Sequence, residues 1–158
     1  MTHDSDVVSC TWALATRLPS VMDYDENPWW AKRASSFGFV TMHALLFLSP
    51  PHHHLAEELR RAAARYDKGT LITMKFMISE EIDPNDPNLM AMIPRFGVKS
   101  ILDTPRLVFL DQRLQGKANA NRHLVFDGGL ITEQNVVYYL AKHGIAERAI
   151  LERAKDEL

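Results

Sequence analysis

The chain has 158 residues, 46% of them hydrophobic, with 18 basic side chains against 20 acidic ones, a formal charge of -2 and a single cysteine. This length predicts one domain, two at most, able to bury roughly 68–70% of its unfolded surface without disulfides or metals. The balanced charge lacks the electrostatic footprint of a nucleic-acid binder, and the longest apolar run, Ala44 to Leu48, falls far short of the roughly 18–20 residues of a membrane-spanning helix, so neither nucleic acid nor membrane insertion is expected.

In chain order, the opening Met1-Thr2-His3-Asp4-Ser5-Asp6 carries two acids where a secretory leader would have basic residues and an apolar core, so it does not read as one. Residues 1–36 predict an arm with at most a short strand or helix, because Pro19, Pro28 and the acidic run Asp23-Tyr24-Asp25-Glu26 break any period; Trp29 and Trp30 are expected to cover core. Ala44-Leu45-Leu46-Phe47-Leu48 predicts a strand buried on both faces, stopped by Pro50-Pro51. Leu55, Leu59, Ala62, Ala63 and Tyr66 then fall at helical spacing, with Glu57 and Arg61 placed to pair across one turn of the outer face. Asp67-Lys68-Gly69 ends that helix, and Leu71 to Ile78 predicts a strand with Ile72, Met74, Phe76 and Ile78 on one face and Thr73 and Lys75 on the other.

Ile82 to Asn88 is dense turn chemistry, and Leu89 to Phe96 predicts a short helix closed by Gly97. Arg106 to Leu110 predicts a strand, Gln112 to Asn121 a polar turn region, and His123 to Asp127 a further strand. Gly128-Gly129 marks a bend before a helix over Thr132–His143, for which Gly144 is the stop. Ile145 to Leu158 predicts a terminal helix. Its last residues, Lys155-Asp156-Glu157-Leu158, spell the address read by the retrieval receptor of the endoplasmic reticulum, and the same letters also finish a run of helix formers. The address is the favoured reading and makes the reticulum lumen the expected compartment, with the cytoplasm as alternative.

The order strand, helix, strand, helix, strand, strand, helix predicts an α/β sandwich with a central mixed sheet, parallel in its first half and antiparallel in its second. The expected divisions are an arm over 1–36, a domain over 37–144 and a tail over 145–158.

This order resembles the thioredoxin-like fold. Met92-Ile93-Pro94-Arg95-Phe96-Gly97-Val98 is similar to the short helix leading to a strand opened by a cis-proline, which the resemblance puts at Thr104-Pro105; two residues around Leu102-Asp103 lengthen the approach. Within that fold the chain resembles the redox-silent, substrate-binding domain of the protein disulfide isomerase family. Thr41 to Leu48 is similar to its opening strand, Ala62 to Leu71 to its helix-to-strand passage, and Leu130-Ile131-Thr132-Glu133 to the start of its last helix.

A catalytic member would carry Cys-x-x-Cys where this chain reads Pro50-Pro51-His52-His53-His54. Its only cysteine is Cys10, in the arm, so the two-thiol cycle is not expected to run and no cofactor is implied. The resemblance implies a hydrophobic cleft for unfolded or partner polypeptide, with Phe37, Phe39, Leu48, Phe96 and Ile101 as candidate cleft residues and Pro50, Pro51 and Pro105 shaping its rim. On that reading, Ser in place of Phe96 or Ile101 weakens client binding more than folding. The alternative is a scaffold subunit whose terminal helix docks on a partner, favoured by an exposed apolar face over Ile145 to Leu158.

A third option is an enzyme built on the histidines. Consecutive His52-His53-His54 point in different directions and cannot all reach one ion, so no metal is expected, although the fold could bring His43 or His123 near. No phosphate-loop or nucleophile-elbow motif is present, Asp83, Asn85 and Asp86 read as turn formers, and Met74, Met77, Met90 and Met92 as core filling or a soft surface.

Overall fold

The computed structural model describes residues 20–23, 40–78, 95–114 and 123–156. Trp29, Trp30, Cys10, the turn-rich loop 82–88 and all but the end of the helix expected over 89–96 lie outside the described residues.

Strand β2 (Met42–Leu48) is buried at every position, as its unbroken apolar run requires. It pairs in parallel with β3 (Leu71–Met77), from Met42 opposite Leu71 to Leu48 opposite Met77, and antiparallel with β4 (Arg106–Asp111). β5 (Leu124–Val125) runs antiparallel to β4, and β1 (Met22–Asp23) runs parallel to β3, giving the order β1-β3-β2-β4-β5. The expected boundary at 36 therefore leaves a strand of the sheet inside the arm. The mixed sandwich itself is as the element order predicts.

Strand pleating divides the core in two. Leu45, Phe47, Ile72, Met74, Phe76 and Val108 share one layer with Phe96 and Val98; Phe47 stacks on Phe76 at 5.0 Å between ring centres. Met42, Ala44, Leu46, Leu48, Leu71, Leu107 and Phe109 face the other way, under helices α1 (Leu55–Ala63) and α2 (Glu133–Lys142). The alternation expected in β3 is present, but its polar face is not open. Thr73 is buried with its hydroxyl given to the Ser20 carbonyl, and Lys75 meets Asp23 at 3.1 Å, because β1 covers that edge.

Local chemistry sets the ends of the elements. Thr132 caps α2 by accepting the Asn135 N–H at 3.2 Å, and Gly97 and Gly144 take φ of 86° and 78°, where a side chain would be strained. On α1 the expected Glu57–Arg61 pair is replaced by Glu57–Arg60 and Glu58–Arg61, each at 2.5 Å. A helical arginine leans toward the N-terminus, which brings its fork onto the carboxylate three residues back. β5 is shorter than the strand expected over 123–127, since the chain turns away through Asp127-Gly128-Gly129 after Phe126 donates its N–H to Leu107 O at 2.9 Å. Helix α3 (Arg148–Asp156) is exposed along its whole length and is held at its start, where Arg148 N donates to Arg65 O at 2.9 Å and Arg65 meets Glu147 at 2.8 Å. Among the described residues no helix is long and apolar enough to cross a membrane.

Candidate functional site

Where β2 ends, Ser49 is extended and buried, and Pro50–His52 form a single tight turn that leads into α1. Proline suits that turn because a first-turn N–H has no helical partner to lose. Facing it is Thr104-Pro105, which is cis. The approach to the proline is pinned by Ser100, whose hydroxyl accepts the Leu102 N–H at 3.2 Å, and by Asp103, whose carboxylate takes the N–H groups of Lys99 at 2.8 Å and Ser100 at 3.2 Å. The Lys99 amide is the chief reason that carboxyl lies below its usual range.

The two sides are joined by hydroxyls. Thr104 Oγ1 lies 2.9 Å from Ser49 Oγ and 2.6 Å from Ile101 O, and Ser49 Oγ lies 3.1 Å from Nδ1 of His52. Beside this seam opens a groove of about 670 Å³. Its α1 wall is His52, His54, Leu55 and Glu58, and its floor is Pro105 and Leu107 from the head of β4. Leu130, Ile131 and Thr132 close the far side, with Val125 and Phe126 of the β5 end. Leu130 is 80% exposed, a large apolar side chain standing in water at the lip. Glu58 is committed: it accepts the Glu133 N–H at 2.9 Å and Arg61 at 2.5 Å, and that backbone bond above all holds its carboxyl below the ordinary range.

The groove adjoins a sheet edge that no other described strand covers. Because Phe126 N bonds Leu107 O, the neighbouring pair Val108 and Val125 is the one that exchanges no hydrogen bonds. The N–H and C=O of Val125 therefore point away from β4, and β5 is the last strand of the described sheet.

The strand order, with two parallel central strands, an antiparallel second half and a proline facing the start of the first described helix, decides the architecture. The fold is thioredoxin-like. No protein-family model and no curated protein matches the sequence. Among solved structures, the chain is similar to the J-Trx1 fragment of ERdj5, with 19% identity and a TM-score of 0.46 over 79% of this chain and 50% of that one. It thus spans about half the length of the structure it matches.

The expected cleft residues do not meet at this site. Leu48 and Phe96 are buried in opposite core layers and do not line this groove. Ile101 is half-buried against the Phe96 layer, and Phe37 and Phe39 lie outside the described residues. Of the rim prolines, Pro105 lines the groove, while Pro50 and Pro51 are exposed on the turn beside it. Lys155 and Asp156 are exposed on α3; Glu157 and Leu158 lie outside the described residues. The residues missed are Leu55, Leu107, Leu130 and Ile131. One signal was available, since Leu130 is a large apolar residue between Gly129 and the cap Thr132, where a turn is normally polar.

The histidines are dispersed. His53 turns Nδ1 back to Pro50 O at 3.2 Å, His43 is buried in β2, and His123 stands edge-on to Phe96 at 5.2 Å. Desolvation, then the charges of Arg106 and Arg95, push the His123 imidazole below its ordinary value. Among the described residues no three His, Cys, Asp or Glu side chains converge on a point that could hold a metal ion.

Proposed function

We propose that the chain holds an extended apolar segment of another polypeptide in this groove, in the manner of a redox-silent member of the protein disulfide isomerase family, without thiol exchange. The observation that carries the reading is the juxtaposition of an exposed apolar lip with a strand edge unpaired among the described residues: Leu130 stands beside Val125, whose backbone donor and acceptor face outward. An added strand would satisfy those groups while its side chains enter the groove. Main-chain bonds supply affinity for any extended sequence, and the apolar floor sets a preference for hydrophobic side chains, giving the broad specificity that suits unfolded clients. Pro50-Pro51-His52-His53-His54 occupies the place of the thiol pair, which supports holding rather than reacting.

The test is a titration of the full chain with an extended apolar peptide and with the same peptide N-methylated at alternate residues, followed by amide chemical shifts. Saturable binding that perturbs Val125, Leu130 and Ile131 and is lost on N-methylation is expected. Shifts centred elsewhere, or indifference to methylation, would refute the reading. The resemblance to the protein disulfide isomerase family supports a setting in the endoplasmic-reticulum lumen. A scaffold role has one observation in its favour: Ile150 and Leu151 of α3 are exposed, so the terminal helix has an apolar face to offer a partner.

A further inference from the structure

The hydroxyl seam beneath the groove has a defined proton order, and its inner end sets it. A carbonyl oxygen only accepts, so Thr104 gives its single hydroxyl proton to Ile101 O, 2.6 Å away. Thr104 Oγ1 must then receive the Ser49 proton across 2.9 Å, because two oxygens at that separation with no hydrogen between them repel. Ser49, having donated, accepts from His52 across 3.1 Å, and Nδ1 of His52 carries a hydrogen. Ser49 is buried, so solvent does not compete for the order. In the neutral ring the second nitrogen is then bare. His52 lines the groove, and its Nε2 has no hydrogen-bond partner among the described residues.

We infer that His52 Nε2 is the polar recognition point of the groove: an acceptor fixed by the Ser49–Thr104 seam, selecting polypeptide segments that bring an N–H or O–H donor beside their apolar side chain. This rests on the polypeptide-holding reading above.

The other charged groups around the ring are engaged elsewhere. Glu58 of α1 takes Arg61 and the Glu133 N–H, and Glu133 at the head of α2 meets Arg65 at 3.3 Å. Arg106 of β4 donates Nε to Phe96 O at 2.6 Å, and His53 bonds Pro50 O. His54, the remaining groove imidazole, needs its own control.

Two measurements test the inference. Long-range nitrogen–proton spectra of the ¹⁵N-labelled full chain at pH 8, with the ring assigned by His52→Gln, should show Nδ1 protonated and Nε2 bare. The wild type and His54→Gln should bind a donor-bearing apolar peptide about tenfold more tightly than the same peptide with its side-chain donor methylated, and His52→Phe should lose that difference. A neutral His52 protonated at Nε2, or groove binding indifferent to loss of the peptide's side-chain donor, overturns this inference and leaves the groove reading standing. Absence of groove binding by either peptide overturns both.

Discussion

Replacing Leu130 by Ser removes a side chain that is 80% exposed at the groove lip and touches little in the free chain. Complete burial of a leucine stabilises by about 1.5–3 kcal/mol. An occupant that covers the four-fifths now in water gains about 1.2–2.4 kcal/mol from it, so at about 1.4 kcal/mol per decade the substitution weakens binding roughly 7- to 60-fold. Folding stability should move by no more than about 0.5 kcal/mol, as for other exposed positions. Leu107, in the same groove but 2% exposed, gives the opposite signature: Leu107→Ala costs about 2–5 kcal/mol of stability through the cavity it leaves. Leu102 is the specificity control, being 89% exposed just before the cis-proline yet absent from the groove wall. Anisotropy of a labelled apolar peptide reads affinity, and urea midpoints read stability. The reasoning is refuted if Leu130→Ser binds within twofold of the parent, or if Leu102→Ser weakens binding just as much.

Gly97→Ala should lower the urea midpoint by the equivalent of about 1–2 kcal/mol, because φ is 86° and the added methyl would lie 2.8 Å from Arg106 Nη2. Thr132→Ala removes the cap from the Asn135 N–H and should cost about 1 kcal/mol in the same assay, with Thr132→Ser recovering most of it. The folded His123 resists protonation, chiefly through desolvation, so the unfolded chain binds its proton first. Its contribution is complete above the ordinary imidazole range and is lost as pH falls through it; thermal midpoints between pH 8 and pH 5.5 should therefore fall less steeply in His123→Leu than in the parent.

Much of the sheet can be read from the chain because burial leaves a pattern. The continuous run Ala44 to Leu48 marks a strand covered on both faces, and the Ile72, Met74, Phe76, Ile78 series marks the face of its neighbour. The α2 limits follow from Thr132 and Gly144, whose chemistry is local. β1 is hidden because two residues carry no period, and its partners Met74 and Lys75 lie some fifty positions onward. The groove is hidden for a related reason. Leu55, Leu107 and Leu130 come from three distant segments, and each is ordinary in its own setting. Choosing Leu48 and Phe96 for their apolarity selected burial, since hydrophobic character in a strand or next to one reports the core before it reports an open surface. The Ser49–Thr104 seam is likewise a property of the folded chain, joining residues fifty-five apart.

Arg65 gives the last helix a character of its own. Its guanidinium reaches Glu147 at 2.8 Å and Glu133 at 3.3 Å, while its carbonyl receives the Arg148 N–H, so the ends of three helices meet at one residue. Such solvent-facing clasps are individually weak, about 0–1 kcal/mol each, whereas the sheet beneath is sealed by whole layers of apolar side chains. The last helix is therefore expected to exchange its amide hydrogens well before the sheet does.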